Sequence, residues 1–191
     1  MDERMVPLMG VTAAFIFAAQ MINFPVVGGT SGHLLGAVLA AILLGPWAGT
    51  LVMTSVIAVQ SLLFQDGGLL AMGANIVNMG IIGTIGGYAI YASLCRILGG
   101  ERRGRLPAAA VAAWSAVMLG AIATSLELVV SGTSSLAVVL PAMVGTHIFI
   151  GVGEAFITVG ALALIRGARP DLLQLRDAVP TGSGMLTPSE S

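Results

Sequence analysis

Sixty-one consecutive residues, Met5 to Gln65, contain no Asp, Glu, Lys or Arg. Soluble domains are about 25% charged, so a water-facing fold does not accommodate such a run. The rest of the chain agrees: 57% of its 191 residues are hydrophobic, only 9% are charged, and the mean hydropathy is +0.98. Disorder requires low hydrophobicity and high net charge, and is excluded for the body of the chain. The predicted fold class is all-α, a polytopic bundle of transmembrane helices. The net charge of −1 points to no nucleic-acid partner. Twenty-six glycines suit closely packed membrane helices. The lone Cys95 permits no intrachain disulfide and no cysteine metal cluster. The start, Met1-Asp2-Glu3-Arg4, is not a cationic leader, so no signal peptide is expected.

Turn residues and rare charges divide the apolar mass into six predicted helices, at residues 6–24, 31–45, 48–64, 69–94, 106–130 and 136–165. The last contains Pro141 and is expected to tilt or break there. All eight basic residues are arginines. Arg96, Arg102, Arg103 and Arg105 follow the fourth helix, and Arg166, Arg169 and Arg176 follow the sixth. With Arg4 they all fall on one side of a six-helix chain, which the positive-inside rule makes the cytoplasm. Residues 1–166 then form the transmembrane domain, with both termini cytoplasmic. Residues 167–191 form a polar tail expected to be disordered. The loops 25–30, 65–68 and 131–135 face outside, around a shallow cavity.

Polar groups in such surroundings need partners. His33 falls in the predicted first turn of the second helix, within Gly29-Thr30-Ser31-Gly32-His33-Leu34-Leu35-Gly36. A helix N-terminus disfavours a charged imidazole and keeps it ready to bind a metal. The plainer alternative is a histidine bonded to a loop carbonyl. Asn75 and Asn78 lie three apart on one helix face, either lining a cavity or bonding a neighbouring helix. Gln20, Asn23 and Gln60 add polarity to the outer halves of their helices. His147 and Glu154 share a face of the sixth helix about 10 Å apart along its axis, with Gly151 between them. They form either a proton or cation relay, or a hydrogen-bond network or contact with a partner. Glu127 is expected near the interface. Gly10, Ala14 and Ala18 form a small-residue row, expected to pack internally rather than against a partner subunit. The ten methionines are scattered and read as core filler.

Several chemistries are excluded. No P-loop is present, so the chain does not hydrolyse ATP. Neither HExxH nor GxSxG occurs, so there is no protease or lipase nucleophile set.

Residues 15–78 are similar to the substrate-binding component of cobalt and nickel energy-coupling factor transporters, the CbiM/NikM family. The matching stretches are Phe17-Ala18-Ala19-Gln20-Met21-Ile22-Asn23-Phe24-Pro25, Gly28-Gly29-Thr30-Ser31-Gly32-His33-Leu34-Leu35-Gly36, Leu44-Gly45-Pro46-Trp47-Ala48-Gly49, Leu62-Leu63-Phe64-Gln65-Asp66-Gly67-Gly68-Leu69 and Gly73-Ala74-Asn75-Ile76-Val77-Asn78-Met79. Farther on, Gly145-Thr146-His147-Ile148-Phe149-Ile150-Gly151-Val152-Gly153-Glu154-Ala155 resembles the family's closing motif. The resemblance implies a non-catalytic capture subunit for Co²⁺ or Ni²⁺, carried as cargo with no tightly bound cofactor. Its partners would be a CbiQ/NikQ-like coupling subunit, CbiO/NikO-like ATPases and a small CbiN/NikN-like membrane protein. The family's metal site uses the N-terminal amine, a histidine at the second position and the motif histidine. Only the last has a counterpart here, His33. The chain begins like the linker after the family's first helix, so that helix and the Met-His start are expected to be missing through a truncation or a misplaced start. One imidazole does not fill a four-nitrogen tetragonal site. Gln20, Asn75 and Asn78 are expected to orient the ion's ligands from outside the coordination sphere. The alternatives are a capture subunit for a non-metal solute, a stand-alone carrier using His147 and Glu154, and a membrane scaffold.

Overall fold

The computed structural model describes residues 5–26 and 30–174. Arg4 and Arg176, the loop glycines Gly28 and Gly29, and the expected tail from residue 175 onward lie outside the described residues. All six predicted apolar segments are helical, but two are short. Helix α1 spans Met5–Gln20, α2 spans Ala37–Leu44 and α3 spans Pro46–Leu63. A continuous rod follows, built of α4 (Gly68–Asn75), a π-helical segment (Ile76–Gly86) and α5 (Gly87–Ile97). The short α6 (Gly100–Arg103) leads into α7 (Arg105–Val130), then α8 (Leu136–Ala168) and α9 (Pro170–Gln174). Four of these units are long and apolar enough to cross a membrane: α3, the α4–α5 rod, α7 and α8. The chain is a multi-pass membrane protein.

The largest departure from expectation lies between α1 and α2. The predicted helices there were 6–24 and 31–45. Instead α1 stops at Gln20, and a β-hairpin follows, with β1 at Asn23–Val26 and β2 at Thr30–His33. Its antiparallel register pairs Asn23 with His33 and Val26 with Thr30. Pro25 lies in β1 and Gly32 in β2, and neither favours a helix interior. Gly36 then takes a left-handed conformation (φ 73°), which delays the start of α2 to Ala37.

All eight residues of α2 are buried. This helix is the centre of the molecule, enclosed by α1, α3, the π segment, α5, α7 and α8. Its apolar character on every side is therefore satisfied. Gly45 ends α2, and Pro46 occupies the first turn of α3, where its missing N–H costs nothing. Gly49 packs directly on the backbone of Ala40 and Ala41. The rod also meets α2 through glycines: a Cβ on Gly83 of the π segment would lie 2.9 Å from the Ala37 Cβ, and one on Gly87 at the start of α5 would lie 2.6 Å from Val38 Cγ2. Thr84 in that segment bonds Thr50 of α3 across 2.5 Å.

Helix α8 runs unbroken through Pro141. Its 33 residues exceed the ~20 that span a hydrocarbon core, so it must tilt or protrude. Helix α8 also includes Gly167 and Ala168, and α9 follows at once, so the first part of the expected tail is helical rather than disordered. The row Gly10, Ala14, Ala18 faces outward from α1, contrary to the expected internal packing; nothing lies within 4 Å of a Cβ built on Gly10. Helices α2 and α3 take the buried face of α1 through Thr12, Ile16 and Gln20.

Candidate functional site

A cavity of about 790 Å³ opens at one end of the bundle. Ser31 and His33 of the hairpin line it, with Asp66 and Gly67 from the α3–α4 loop and Ser131 and Thr133 from the α7–α8 loop. Two of the loops expected to share a side, 65–68 and 131–135, meet around one cavity, and the third element there is the strand β2. Deeper walls come from Asn75 and Asn78 on the rod, Thr124 and Glu127 on α7, and Met143 and His147 on α8.

His33 sits at the end of β2, so no helix N-terminus acts on its ring. Its Nδ1 lies 2.8 Å from the Leu34 carbonyl. A carbonyl only accepts, so Nδ1 carries the hydrogen, and in the neutral ring Nε2 keeps its lone pair. The bond to a loop carbonyl and the availability of a ligating nitrogen are thus two aspects of one geometry. His147 is held the same way, with Nδ1 donating to the Met143 carbonyl at 2.8 Å. The two imidazoles border the same cavity and are within electrostatic reach of each other.

His147 and Glu154 do share the buried stripe of α8, with Met143, Ile150 and Gly151. Trp114 of α7 fills the space that Gly151 leaves. Their contacts, however, turn toward the hairpin and the corner after it. The His147 ring lies against Gly32, with Cε1 and Nε2 at 3.0 and 3.1 Å from the position of an added Cβ. The Glu154 carboxyl accepts from the Leu35 amide at 2.8 Å and the Gly36 amide at 2.6 Å. Gln20 reaches the same corner, donating Nε2 to the Leu35 carbonyl at 2.7 Å.

Asn78 is buried and donates Nδ2 to Glu127 at 2.8 Å and to Thr124 at 3.1 Å. It therefore both bonds a neighbouring helix and lines the cavity. Asn75 packs its amide against Gly67 of the loop. Gln20 Oε1, Gln60 Nε2 and Asn78 Oδ1 are buried without a partner among the described residues. Sequence reasoning placed Glu127 near the interface and Asp66 in an outer loop within a family-like stretch, and named neither as a site residue; both line the cavity. A signal was present, since Thr124 and Glu127 lie three apart on one helix face. Among the described residues, no three His, Cys, Asp or Glu side chains gather closely enough to hold a metal.

The opposite end of the bundle carries Arg96, Arg103, Arg105, Arg166 and Arg169. There Glu101 pairs with Arg105 at 2.6 Å and accepts from the Tyr91 hydroxyl at 3.0 Å.

Membrane-length helices around a largely apolar cavity, with two imidazoles and two carboxyl groups set in its wall, define an integral membrane protein with a site for a small solute. A family model, CbiM, described as the cobalt uptake substrate-specific transmembrane region, matches residues 1–172. The chain belongs to the CbiM family. It is 42% identical over 178 residues to a putative fused nickel transport protein NikMN of Archaeoglobus fulgidus, covering 92% of this chain and 58% of that one. It is 36% identical to the cobalt transport protein CbiM of Sorangium cellulosum, covering 93% of this chain and 80% of that one. The chain thus spans little more than half of the fused relative. A crystal structure described as a truncated transition metal transporter superposes with a TM-score of 0.81 at 33% identity, covering 87% of this chain and 83% of that one.

Proposed function

We propose that this chain is a non-catalytic membrane subunit that captures Co²⁺ or Ni²⁺ from outside and passes the ion inward. The observation that carries it is the cavity at the end of the bundle away from the arginines. There the Nε2-bearing ring of His33 shares a wall with His147, Asp66 and Glu127. Imidazole suits both ions, and carboxyl groups nearby raise the local cation concentration. His33 is one donor of the metal site. Gln20 steadies it through the Leu35 carbonyl, and Asn75 and Asn78 order the cavity wall.

The arginine-bearing end faces the cytoplasm, following the positive-inside rule. ATP hydrolysis belongs to CbiO/NikO-like partners, acting through a CbiQ/NikQ-like coupling subunit. The fused NikMN relative supports an N-type small membrane subunit as a further partner. The outward row Gly10, Ala14, Ala18 offers a flat surface for close helix approach by a partner.

The test is uptake of radioactive nickel or cobalt by cells expressing the chain with its partner subunits. His33→Ala should abolish uptake while leaving the protein in the membrane at its normal level. Normal uptake by that variant would remove His33 from the site. The cavity volume of about 790 Å³ also lies within the ~300–1,000 Å³ of organic-ligand pockets, which favours a non-metal solute as a second reading. Equilibrium binding of nickel, cobalt and vitamins separates the two.

A further inference from the structure

The corner that follows His33, Leu35–Gly36, is held from several sides by parts of the chain far away in sequence. Glu154 accepts from both of its amides, 2.8 Å from Leu35 N and 2.6 Å from Gly36 N. Gln20 donates to the Leu35 carbonyl at 2.7 Å. Ile16 fills the space beside Gly36, where an added Cβ would meet its Cγ1 at 2.7 Å. On the rod, Gly83 leaves room for Leu35, whose Cδ2 would lie 3.2 Å from an added Cβ. Just before the corner, the His147 ring lies on Gly32.

Glu154 is the unusual member of this set. It is only 2% exposed and lies in the middle of a helix that crosses the membrane. Among the described residues no ion pair involves it. A carboxyl group in such a place is costly, and its retention points to a task that other side chains do not perform. The task is legible in its bonds. Two adjacent backbone N–H groups point the same way and need two acceptor atoms side by side. A carboxyl group supplies both. A glutamine of the same size supplies one acceptor and one NH₂, and that NH₂ would face an N–H with nothing to accept it.

We propose that Glu154 is the positioning residue for His33, fixing the Leu35–Gly36 corner so that the imidazole is presented to the cavity before any ion arrives. The proposal rests on the reading of His33 as a metal donor. Helix α8 then serves as the scaffold of the capture site: His147 backs the hairpin at Gly32, and Glu154 locks the exit from β2. The stripe they share is a docking edge for the hairpin. Loss of the lock frees the corner without removing a ligand, so it lowers affinity rather than transport capacity.

The experiment compares wild type with Glu154→Gln, Glu154→Asp and His33→Ala in the full chain, by two measurements. The first is amide hydrogen exchange across residues 30–37 in the metal-free protein in lipid nanodiscs. Glu154→Gln should speed exchange at Leu35 and Gly36 and leave α3 and α7 protected. The second is the nickel concentration for half-maximal uptake in cells expressing the partner subunits. Glu154→Gln should raise it roughly 10- to 100-fold, the usual cost of losing a group that orients a metal ligand, with a maximal rate near wild type. Glu154→Asp keeps two oxygens on a shorter arm and should fall between the two. Unchanged exchange at Leu35 and Gly36, or unchanged half-saturation in Glu154→Gln, overturns the proposal. If Glu154→Gln does not reach the membrane, Glu154→Asp decides: wild-type exchange together with wild-type half-saturation overturns the proposal, and a partial shift in both supports it. Wild-type uptake by His33→Ala instead defeats the metal-donor reading, and the exchange measurement still decides whether Glu154 holds the corner.

Discussion

Gly36→Ala should be among the most damaging single-methyl additions in the molecule, for two separable reasons. The first is conformational: φ is 73° at this position, and a side chain in the left-handed region costs about 1–2 kcal/mol. The second is steric. The added Cβ would lie 2.7 Å from Ile16 Cγ1, 3.2 Å from Cγ2 and 3.3 Å from Cδ1. Ile16 is fully buried, so its side chain has nowhere to swing. Overpacking of this kind costs about 1–3 kcal/mol, for a combined loss of about 2–5 kcal/mol. The assay is reversible unfolding in mixed detergent micelles, read as a double-mutant cycle with Ile16→Ala. Ile16→Ala alone opens a cavity and should cost about 2–5 kcal/mol. In the double variant the alanine methyl enters that space, so the loss should fall short of the sum of the single losses by about 1–3 kcal/mol, the steric share alone. Strict additivity would show that Ile16 does not press on Gly36. A Gly36→Ala protein as stable as wild type would refute both arguments.

Three further substitutions probe other contacts by the same unfolding assay. Gly87→Ala places a Cβ 2.6 Å from Val38 Cγ2 and 3.2 Å from Ala116 Cβ, and should cost about 1–3 kcal/mol; a neutral result would mean that the rod and α2 are not in close contact there. Asn78→Leu withdraws the amide from Glu127 and Thr124, and should cost about 1–3 kcal/mol by leaving acceptors unpaired; unchanged stability would show that water replaces the amide. Tyr91→Phe removes the hydroxyl bond to Glu101 and should cost only about 0.5–1.5 kcal/mol. A larger loss would mean that the α5–α6 corner depends on that bond for more than local order.

The long helices were legible because a membrane imposes a simple rule on sequence. Residues 106–130 and 136–165 were predicted within a few positions of α7 and α8, since charged or polar turns bound them on both sides. The hairpin was not legible. Asn23 to Val26 and Thr30 to His33 lie inside the charge-free run, where apolar residues and glycines suit several backbones equally well. The corner that ends the hairpin is Gly36, which takes a positive φ and gives its amide to a carboxyl group 118 residues later in the chain. No local pattern contains that information. The site divides in the same way. His33 stood out as a histidine within a glycine-rich motif, and the structure sets it on the cavity wall. The spacing of His147 and Glu154 placed them on one stripe, as either a relay or a hydrogen-bond network or partner contact. Spacing gives the face and not the partner, and the partners are Gly32 for one residue and the Leu35–Gly36 amides for the other. Asp66 and Glu127 were missed as wall residues because one lies in a loop and the other on α7, and only the tertiary fold brings them to one cavity.

The enclosed helix α2 has a consequence for how the protein is made. Eight residues reach about 12 Å, less than half of a bilayer's hydrocarbon thickness, so α2 is no stop or start signal for the insertion machinery. Its walls include α7 and α8, which leave the ribosome after it. Ala37 to Leu44 must therefore wait, threaded beside α3, until the C-terminal helices close around them. A chain cut short before α8 keeps its most apolar helix without lasting cover and without the carboxyl group that fixes its entrance. Such fragments should be substrates for membrane quality control. Completion of α8 should therefore be the step that closes the bundle around α2.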